Sequence, residues 1–332
     1  MRVIIFGAGA VGSVLGGRLR QGGADVVLVA RQPHVEAIRA SGLRLRTAKT
    51  TDVVEIAAVT SLTELTPSND DVVIITAKTQ DTPPIHDALQ RWNSNVAVVC
   101  GTNGVEHERM ALRRFANVYG MVIQLPAQFE KPGEVTILCA PTNALVDVGR
   151  YPTGVDGRAQ QLAALIDASP SLSCEADDHV MIKKHGKLLV NLGNAADAAC
   201  GMHGRGAAVV RDAIAEGKRA YEAAGIVNEQ PEGRADHYKQ RTSLMRFEIP
   251  DGDTFLGGST WQSLAKGATS LETDYFNGEI VLLGRLHGVA TPANEFLLNL
   301  AARLLQDRTP PGSVTVADLD RQWKERQVLT AP

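Results

Sequence analysis

The sequence predicts an α/β fold, with an N-terminal Rossmann-type, doubly wound sheet followed by an all-helical C-terminal domain. Three observations predict it. Short apolar β-rich runs alternate with helical segments through the first half of the chain. A glycine-rich turn, Gly7-Ala8-Gly9-Ala10-Val11-Gly12, directly follows the first run. Strand patterning stops near residue 175, and helical periodicity takes over.

The elements follow in order. "RVIIF" (2–6), "DVVLVA" (25–30), "DVVIITA" (71–77) and "NVAVVC" (95–100) are short and almost continuously apolar, as parallel strands buried on both faces require. Helices are expected between them at 10–22, 33–41, 83–92 and 104–116. "LRLRT" (43–47) and "VVEIAAV" (53–59) alternate more and are expected to pair as a hairpin. "EVTILC" (134–139) and "ALVDVG" (144–149), separated by "APTN", are expected to form another antiparallel pair. The domains are placed at 1–177 and 178–332. In the second, helices are expected at 178–200, 206–225, 270–288, 292–307 and 315–328. The stretch 226–258 is richer in Gly, Pro and charge, and 247–259 is expected to be a loop.

Composition narrows the function classes. The 332 residues are 44% hydrophobic and 21% charged, with net charge −3. A packed core is expected, and there is no electrostatic reason to invoke nucleic acid or an anionic membrane. Cys100, Cys139, Cys174 and Cys200 are scattered without a CxxC pair, and no histidine cluster has metal-ligand spacing. They read as buried thiols in a reducing compartment, and no metal is expected. No basic segment with a cleavage site precedes the first strand, and no apolar run nears the ~20 residues that span a bilayer. A cytoplasmic protein is expected.

The glycine turn carries the first chemistry. Gly7 permits a tight turn, Gly9 lets the backbone approach a pyrophosphate, and Gly12 allows close helix–strand packing. With Ala8, Ala10 and Val11 they present backbone N–H donors at a helix N-terminus. At the end of the second strand, "VVLVARQ" places Arg31 where an acidic residue would bind the ribose 2′-hydroxyl of NAD. An arginine pairs instead with a 2′-phosphate, which favours NADP(H). Lys78, in "VIITAKTQD", and Asn103, in "VVCGTNGVEH", follow two further strands. Lys78 can reach cofactor phosphate or ribose, or the substrate. Asn103 can hold the nicotinamide ribose or carboxamide.

In "KLLVNLGNAADAAC" (187–200), Leu188, Leu189, Val190 and Leu192 form an apolar side, with Lys187, Asn191 and Asn194 opposite. Glu272 lies among Tyr275, Ile280, Leu282 and Leu283. A lysine and a glutamate from different helices make a tunable acid–base pair.

The chain resembles the ketopantoate reductases (2-dehydropantoate 2-reductases), whose C-terminal domain is like that of 6-phosphogluconate dehydrogenase. The resemblance spans nearly the whole chain. It is carried by "GAGAVGS", Arg31, "AKTQDT", "TNG", "KLLVN", "ETDYFNGEI" and "HGVATPAN". It implies NADPH-dependent reduction of a 2-oxo acid to a 2-hydroxy acid, in pantothenate biosynthesis. It assigns the catalytic lysine to Lys187 and the conserved glutamate, also a cofactor contact, to Glu272. Lys78 and Asn103 take the strand-end roles, with Asn103 also touching substrate. Asn191, Asn194 and Ser259 or Thr260 are the implied substrate ligands. The fit loosens at three positions: Asn194 comes three residues after Asn191 instead of four, Ala195 stands where the second asparagine is expected, and Gly257 stands where the family often has asparagine. A reductase of the same family acting on a different 2-oxo acid is one alternative. A non-catalytic NADP-binding sensor is another, though it need not keep both Lys187 and Glu272. A homodimer is compatible with the helical second domain.

Overall fold

The computed structural model describes residues 1–253 and 257–329. In chain order the strands are β1 (Arg2–Phe6), β2 (Asp25–Val29), β3 (Leu43–Arg46), β4 (Thr51–Val54), β5 (Ala57–Val59), β6 (Asp71–Ile75), β7 (Ala97–Cys100), β8 (Val118–Gln124), β9 (Ala127–Lys131), β10 (Glu134–Ile137), β11 (Cys139–Pro141), β12 (Ala144–Arg150), β13 (Leu172–Ala176) and β14 (Met245–Phe247). The helices are α1 (Ala10–Gln21), α2 (Gln32–Ser41), α3 (Thr82–Trp92), α4 (Glu106–Leu112), α5 (Gly157–Asp167), α6 (Val180–Asn191), α7 (Asn194–Cys200), α8 (Ala208–Ala223), α9 (Glu232–Thr242), α10 (Ser259–Ala265), α11 (Asn277–His287), α12 (Pro292–Gln306) and α13 (Val316–Leu329). Two compact units result, one of Met1–Lys184 with Glu229–Thr254, the other of His185–Asn228 with Phe255–Pro332.

The first unit is built on an eight-stranded sheet in the order β13-β12-β8-β7-β6-β1-β2-β5. From β5 to β8 every pairing is parallel, because each strand is followed by a crossover that returns the chain in the same direction. Strand order reverses at β1, between β2 and β6. That is the switch point at which such sheets bind ligands, outside the carboxyl ends of the strands. Val3, Ile4 and Ile5 of β1 and Val73 and Ile74 of β6 are fully buried, as the continuous apolar runs require.

A second sheet, β4-β3-β10-β9, and a two-stranded β11–β14 ribbon complete this unit. β3 and β4 form the expected antiparallel pair, but the second half of 53–59 becomes β5 and joins the main sheet parallel to β2. The expected pairing of 134–139 with 144–149 does not form. β10 pairs with β9 and β3, whereas β12 pairs with β8 and β13. Residues 144–149 are buried along their whole length, so they fit a strand with neighbours on both edges.

Residues 229–254, placed by sequence in the second domain, have their contacts in the first unit. There α9 is held by charge. Arg241 reaches Asp147 (2.7 Å) and Glu175 (2.8 Å), and Arg234 reaches Asp178 (2.8 Å). The expected loop over 247–259 has no regular structure from 248 to 253, but α10 begins at Ser259. Its residues 254–256 lie outside the described residues.

The second unit is helical. The single helix expected over 178–200 is two, α6 and α7, interrupted at Leu192-Gly193. A Cβ on Gly193 would sit 3.1 Å from Val210, and one on Gly217 of α8 would meet Leu189 at 2.6 Å, so α8 packs closely on both. The segment expected as one helix at 270–288 begins as a 3₁₀ turn at Glu272–Tyr275 before α11. Ala195, Val210, Leu271, Leu297, Leu300 and Trp323 lie in its core. Cys100, Cys139 and Cys174 are buried thiols, whereas Cys200 is half-buried. No described helix is long and apolar enough to cross a membrane.

Candidate active site

In the first unit the sequence-predicted residues collect at the carboxyl ends of adjacent parallel strands. β1 ends at Phe6, in register with Ile75 of β6, which is in register with Cys100 of β7. Lys78 and Asn103 each follow their strand by three residues. The strand ends are tied together: Thr76 Oγ1 donates to Gly7 O (2.9 Å) and Gly101 N to Ile75 O (2.9 Å).

The glycine turn has the geometry its spacing implies. Gly7 adopts φ +96°, and a Cβ there would lie 2.7 Å from Ala77 N. A Cβ on Gly12 would lie 2.5 Å from Thr76 Oγ1, 2.7 Å from Gly7 O and 2.9 Å from Ile5. Gly9 differs. Its backbone is extended, and the nearest atom to a Cβ is Gly7 O at 4.0 Å. Gly9 caps α1 with no side-chain bond and no acidic residue follows in the first turn, so no side chain caps the N–H groups that open α1. Arg31 is exposed and caps α2 just past β2. Behind it His34 is buried, its Nδ1 accepting from Gly133 N (2.8 Å) and its Nε2 bonded with Ser13 Oγ (3.1 Å). Burial, with Arg31 nearby, pushes that imidazole down to about 4.

In the second unit Lys187 is half-buried on α6 and Asn191 lies one turn on, in the same stripe. Leu188, Leu189 and Leu192 are buried as expected, but Val190 is 61% exposed. Asn191 is buried, and its Nδ2 has no hydrogen-bond partner among the described residues. The same holds for Asp197 Oδ1, Thr273 Oγ1 and Asn277 Oδ1. Asn194 opens α7 and accepts from Arg205 Nη2 (2.8 Å). That leaves the Asn194 amide N–H groups to donate. α10 meets α7 through Gly258 N, which donates to Asp197 Oδ2 (3.0 Å). Ser259 is exposed and Thr260 buried. Glu272 is buried in its 3₁₀ turn. Asn277, just beyond, donates to Leu192 O (3.2 Å) at the α6–α7 break. This unit thus brings the α6–α7 break, the start of α10 and the Glu272 turn together.

Residues 3–151 match the family Ketopantoate reductase PanE/ApbA, and residues 185–305 match its C-terminal domain, Ketopantoate reductase PanE/ApbA C terminal. The chain belongs to the ketopantoate reductase family. Proteins named 2-dehydropantoate 2-reductase are similar to it over most of their length. That of Caulobacter vibrioides is 30% identical over 90% of this chain and 99% of the relative. That of Archaeoglobus fulgidus is 27% identical over 90% and 96%. The crystal structure of a PanE/ApbA family ketopantoate reductase from Ralstonia eutropha JMP134 is similar at TM-score 0.74 and 27% identity, covering 93% of this chain and 99% of that one. D-mandelate dehydrogenase with NADH and anilino(oxo)acetate shares the fold at TM-score 0.74 and 23% identity, over 93% and 99% of the two chains.

Membership in the ketopantoate reductases makes this chain an oxo-acid reductase of that type, an oxidoreductase using a nicotinamide cofactor. The glycine turn fits such a dinucleotide, because the space a Cβ on Gly9 would fill is open and lies before uncapped helix N–H groups. At Gly257, where the ketopantoate reductases often carry asparagine, φ is +87° and a Cβ would meet Trp261 at 2.6 Å. The neighbouring tryptophan therefore demands this departure. Residues that sequence reasoning missed hold the site's frame. Asn294 donates to Ala213 O (2.9 Å) and Glu216 Oε2 (2.8 Å), and Glu216 accepts Ala293 N and Asn294 N at the start of α12. Asn277 and Asn294 stand in the motifs "ETDYFNGEI" and "HGVATPAN", which were the available signal.

Proposed function

We propose that this chain reduces ketopantoate (2-dehydropantoate) to pantoate with NADPH, and that Lys187 is the general acid. The observation that carries the reading is the α6 stripe. Lys187 lies one turn from Asn191, whose buried Nδ2 has no hydrogen-bond partner among the described residues. A buried donor left unpaired is costly, and a substrate oxygen beside Lys187 would satisfy it.

The chemistry that a bound nicotinamide cofactor would supply here is a hydride for C2 of the oxo acid. The N–H groups after Gly9 bind its pyrophosphate. Arg31, with no acidic residue at the end of β2, binds the 2′-phosphate and so selects NADPH over NADH. Lys78 binds phosphate or ribose, and Asn103 holds the nicotinamide ribose or carboxamide. The Lys187 ammonium stabilises the charge that develops on the ketone oxygen and delivers the proton to it. Glu272 orients Lys187 or accepts from the new hydroxyl. Asn191, Asn194 and Thr260 or Ser259 donate to the substrate carboxylate, and of the last two Thr260 is the buried one.

A second reading keeps the chemistry and changes the acid. Asn194 stands one position early, Ala195 replaces an amide, and Gly257 is fixed by Trp261, all at implied substrate contacts. A fold shared with D-mandelate dehydrogenase does not choose between acids. The test is NADPH oxidation with a panel of 2-oxo acids that includes ketopantoate and an aryl 2-oxo acid. Fastest turnover with ketopantoate supports the first reading. Turnover confined to another acid supports the second. Tight NADPH binding with no turnover on any acid refutes both and leaves a sensor.

A further inference from the structure

Beneath the strand-end turn that carries Asn103 lies a buried polar cluster to which the proposed chemistry gives no role. Lys184 of α6 is 1% exposed and Glu108 of α4 is fully buried. The Lys184 Nζ donates to Glu108 Oε1 and to Cys100 O, the latter at 3.1 Å. Alongside, His107 is fully buried. Its Nδ1 is hydrogen-bonded with Thr102 Oγ1 (3.3 Å) and its Nε2 with His86 Nε2 (3.1 Å). Burial pushes both imidazoles down, His86 to about 4, so both rings are neutral and can share one N–H between them.

A buried ion pair is weak evidence of stabilisation, because desolvation offsets the attraction. What this one does is geometric. Cys100 O is fixed by Lys184, Gly101 N by Ile75 O and the Thr102 side chain by His107. Three consecutive residues are thereby pinned immediately before Asn103, and the polar groups doing the pinning come from β6, α4 and α6.

We infer that Lys184 and Glu108 are positioning residues: a buried pair that sets the turn presenting Asn103 and, through it, the nicotinamide half of the cofactor. The inference rests on the proposed role of Asn103. It assigns the pair no contact with cofactor or substrate.

The test is a set of fluorescence titrations on the full chain with NADPH and, in competition, with 2′,5′-ADP, which lacks the nicotinamide half. Lys184→Met alone would leave the Glu108 carboxylate buried and unpaired, so the variant is Lys184→Met with Glu108→Gln. Thr102→Val, close in shape and charge-neutral, probes the same turn without touching the pair. Both variants are expected to weaken NADPH by up to about tenfold, the scale of one lost hydrogen bond, with 2′,5′-ADP affinity held within about twofold. Adding Asn103→Ala to the paired variant is expected to weaken NADPH no further than Asn103→Ala does alone.

The inference is overturned if NADPH affinity is unchanged, if both ligands are lost together as in general unfolding, or if the paired and Asn103 losses multiply. If Asn103→Ala has no effect while the paired variant does, the role of Asn103 fails and the link through it fails with it. If the unmodified chain binds neither NADPH nor 2′,5′-ADP, the NADP reading has failed on its own. The same titrations with NADH and AMP then decide whether the pair positions the turn.

Discussion

Two glycines three residues apart, Gly9 and Gly12, should separate binding from folding. In Gly12→Ala the new Cβ would lie 2.5 Å from Thr76 Oγ1 and 2.7 Å from Gly7 O. Neither backbone nor the strand-end threonine can yield without moving α1 off the sheet, and overpacking of this kind costs ~1–3 kcal/mol. At ~2–4 °C per kcal/mol for a domain of this size, the melting temperature should fall by roughly 2–12 °C. In Gly9→Ala the Cβ meets nothing nearer than Gly7 O at 4.0 Å, and φ is −80°. The folded chain accepts it, and the lost flexibility of the unfolded chain stabilises by ~0.4–1 kcal/mol. The same Cβ occupies the space a pyrophosphate needs. Loss of one charge-assisted bond, ~1.5–3 kcal/mol, weakens NADPH by roughly 10–100-fold. Calorimetry and NADPH titration on both variants read the two effects. A Gly9→Ala protein that binds NADPH as tightly as the unmodified chain would refute the assignment of this turn to the cofactor.

Three further outcomes are expected. Arg31→Ala should weaken NADPH by roughly 10–100-fold, as for a lost charge-assisted bond, and leave NADH within about twofold; equal losses for both would remove Arg31 from the 2′-phosphate. His34 is neutral in the fold, with Nδ1 accepting from Gly133 N, so its pKa, lowered to about 4, means the unfolded chain binds the extra proton between pH 6.5 and about 4. Stability is therefore lost as pH falls through that window, by ~3 kcal/mol from this group, and His34→Gln should flatten the acid limb of denaturant-unfolding curves. Glu216→Ala should destabilise by several kcal/mol, since it strands the buried Ala293 N and Asn294 N and leaves Asn294 Nδ2 with Ala213 O but without its carboxylate acceptor; an unchanged melting temperature would contradict that role.

The sequence made some of this legible and hid the rest for physical reasons. Runs such as "RVIIF" and "DVVIITA" declare buried parallel strands because both faces are apolar, and the glycine spacing declares the turn after them. Pairing partners are another matter. Local patterning marked 134–139 and 144–149 as strands, but which edges they join is decided by residues far away, and they join different sheets. The helix α9 was invisible because only Arg241 along it is buried. It docks through ion pairs, which leave no apolar stripe to read. Of the site, Lys187, Asn191 and Glu272 stood out as polar residues on apolar elements. Val190 misled, since apolar character alone does not say which way a side chain faces, and it is exposed. Lys184 and Glu108 were unreadable, because a buried ion pair needs both partners' positions to be recognised.

Lys187 is proposed to drive reduction of a 2-oxo acid by NADPH. This role is tested most directly by following NADPH absorbance with ketopantoate for the unmodified chain and for Lys187→Ala. Turnover by the unmodified chain is expected, with a loss of ~10²–10⁴-fold in kcat for the variant, the usual contribution of a general acid, and NADPH affinity retained. A variant that turns over ketopantoate at the unmodified rate would contradict it.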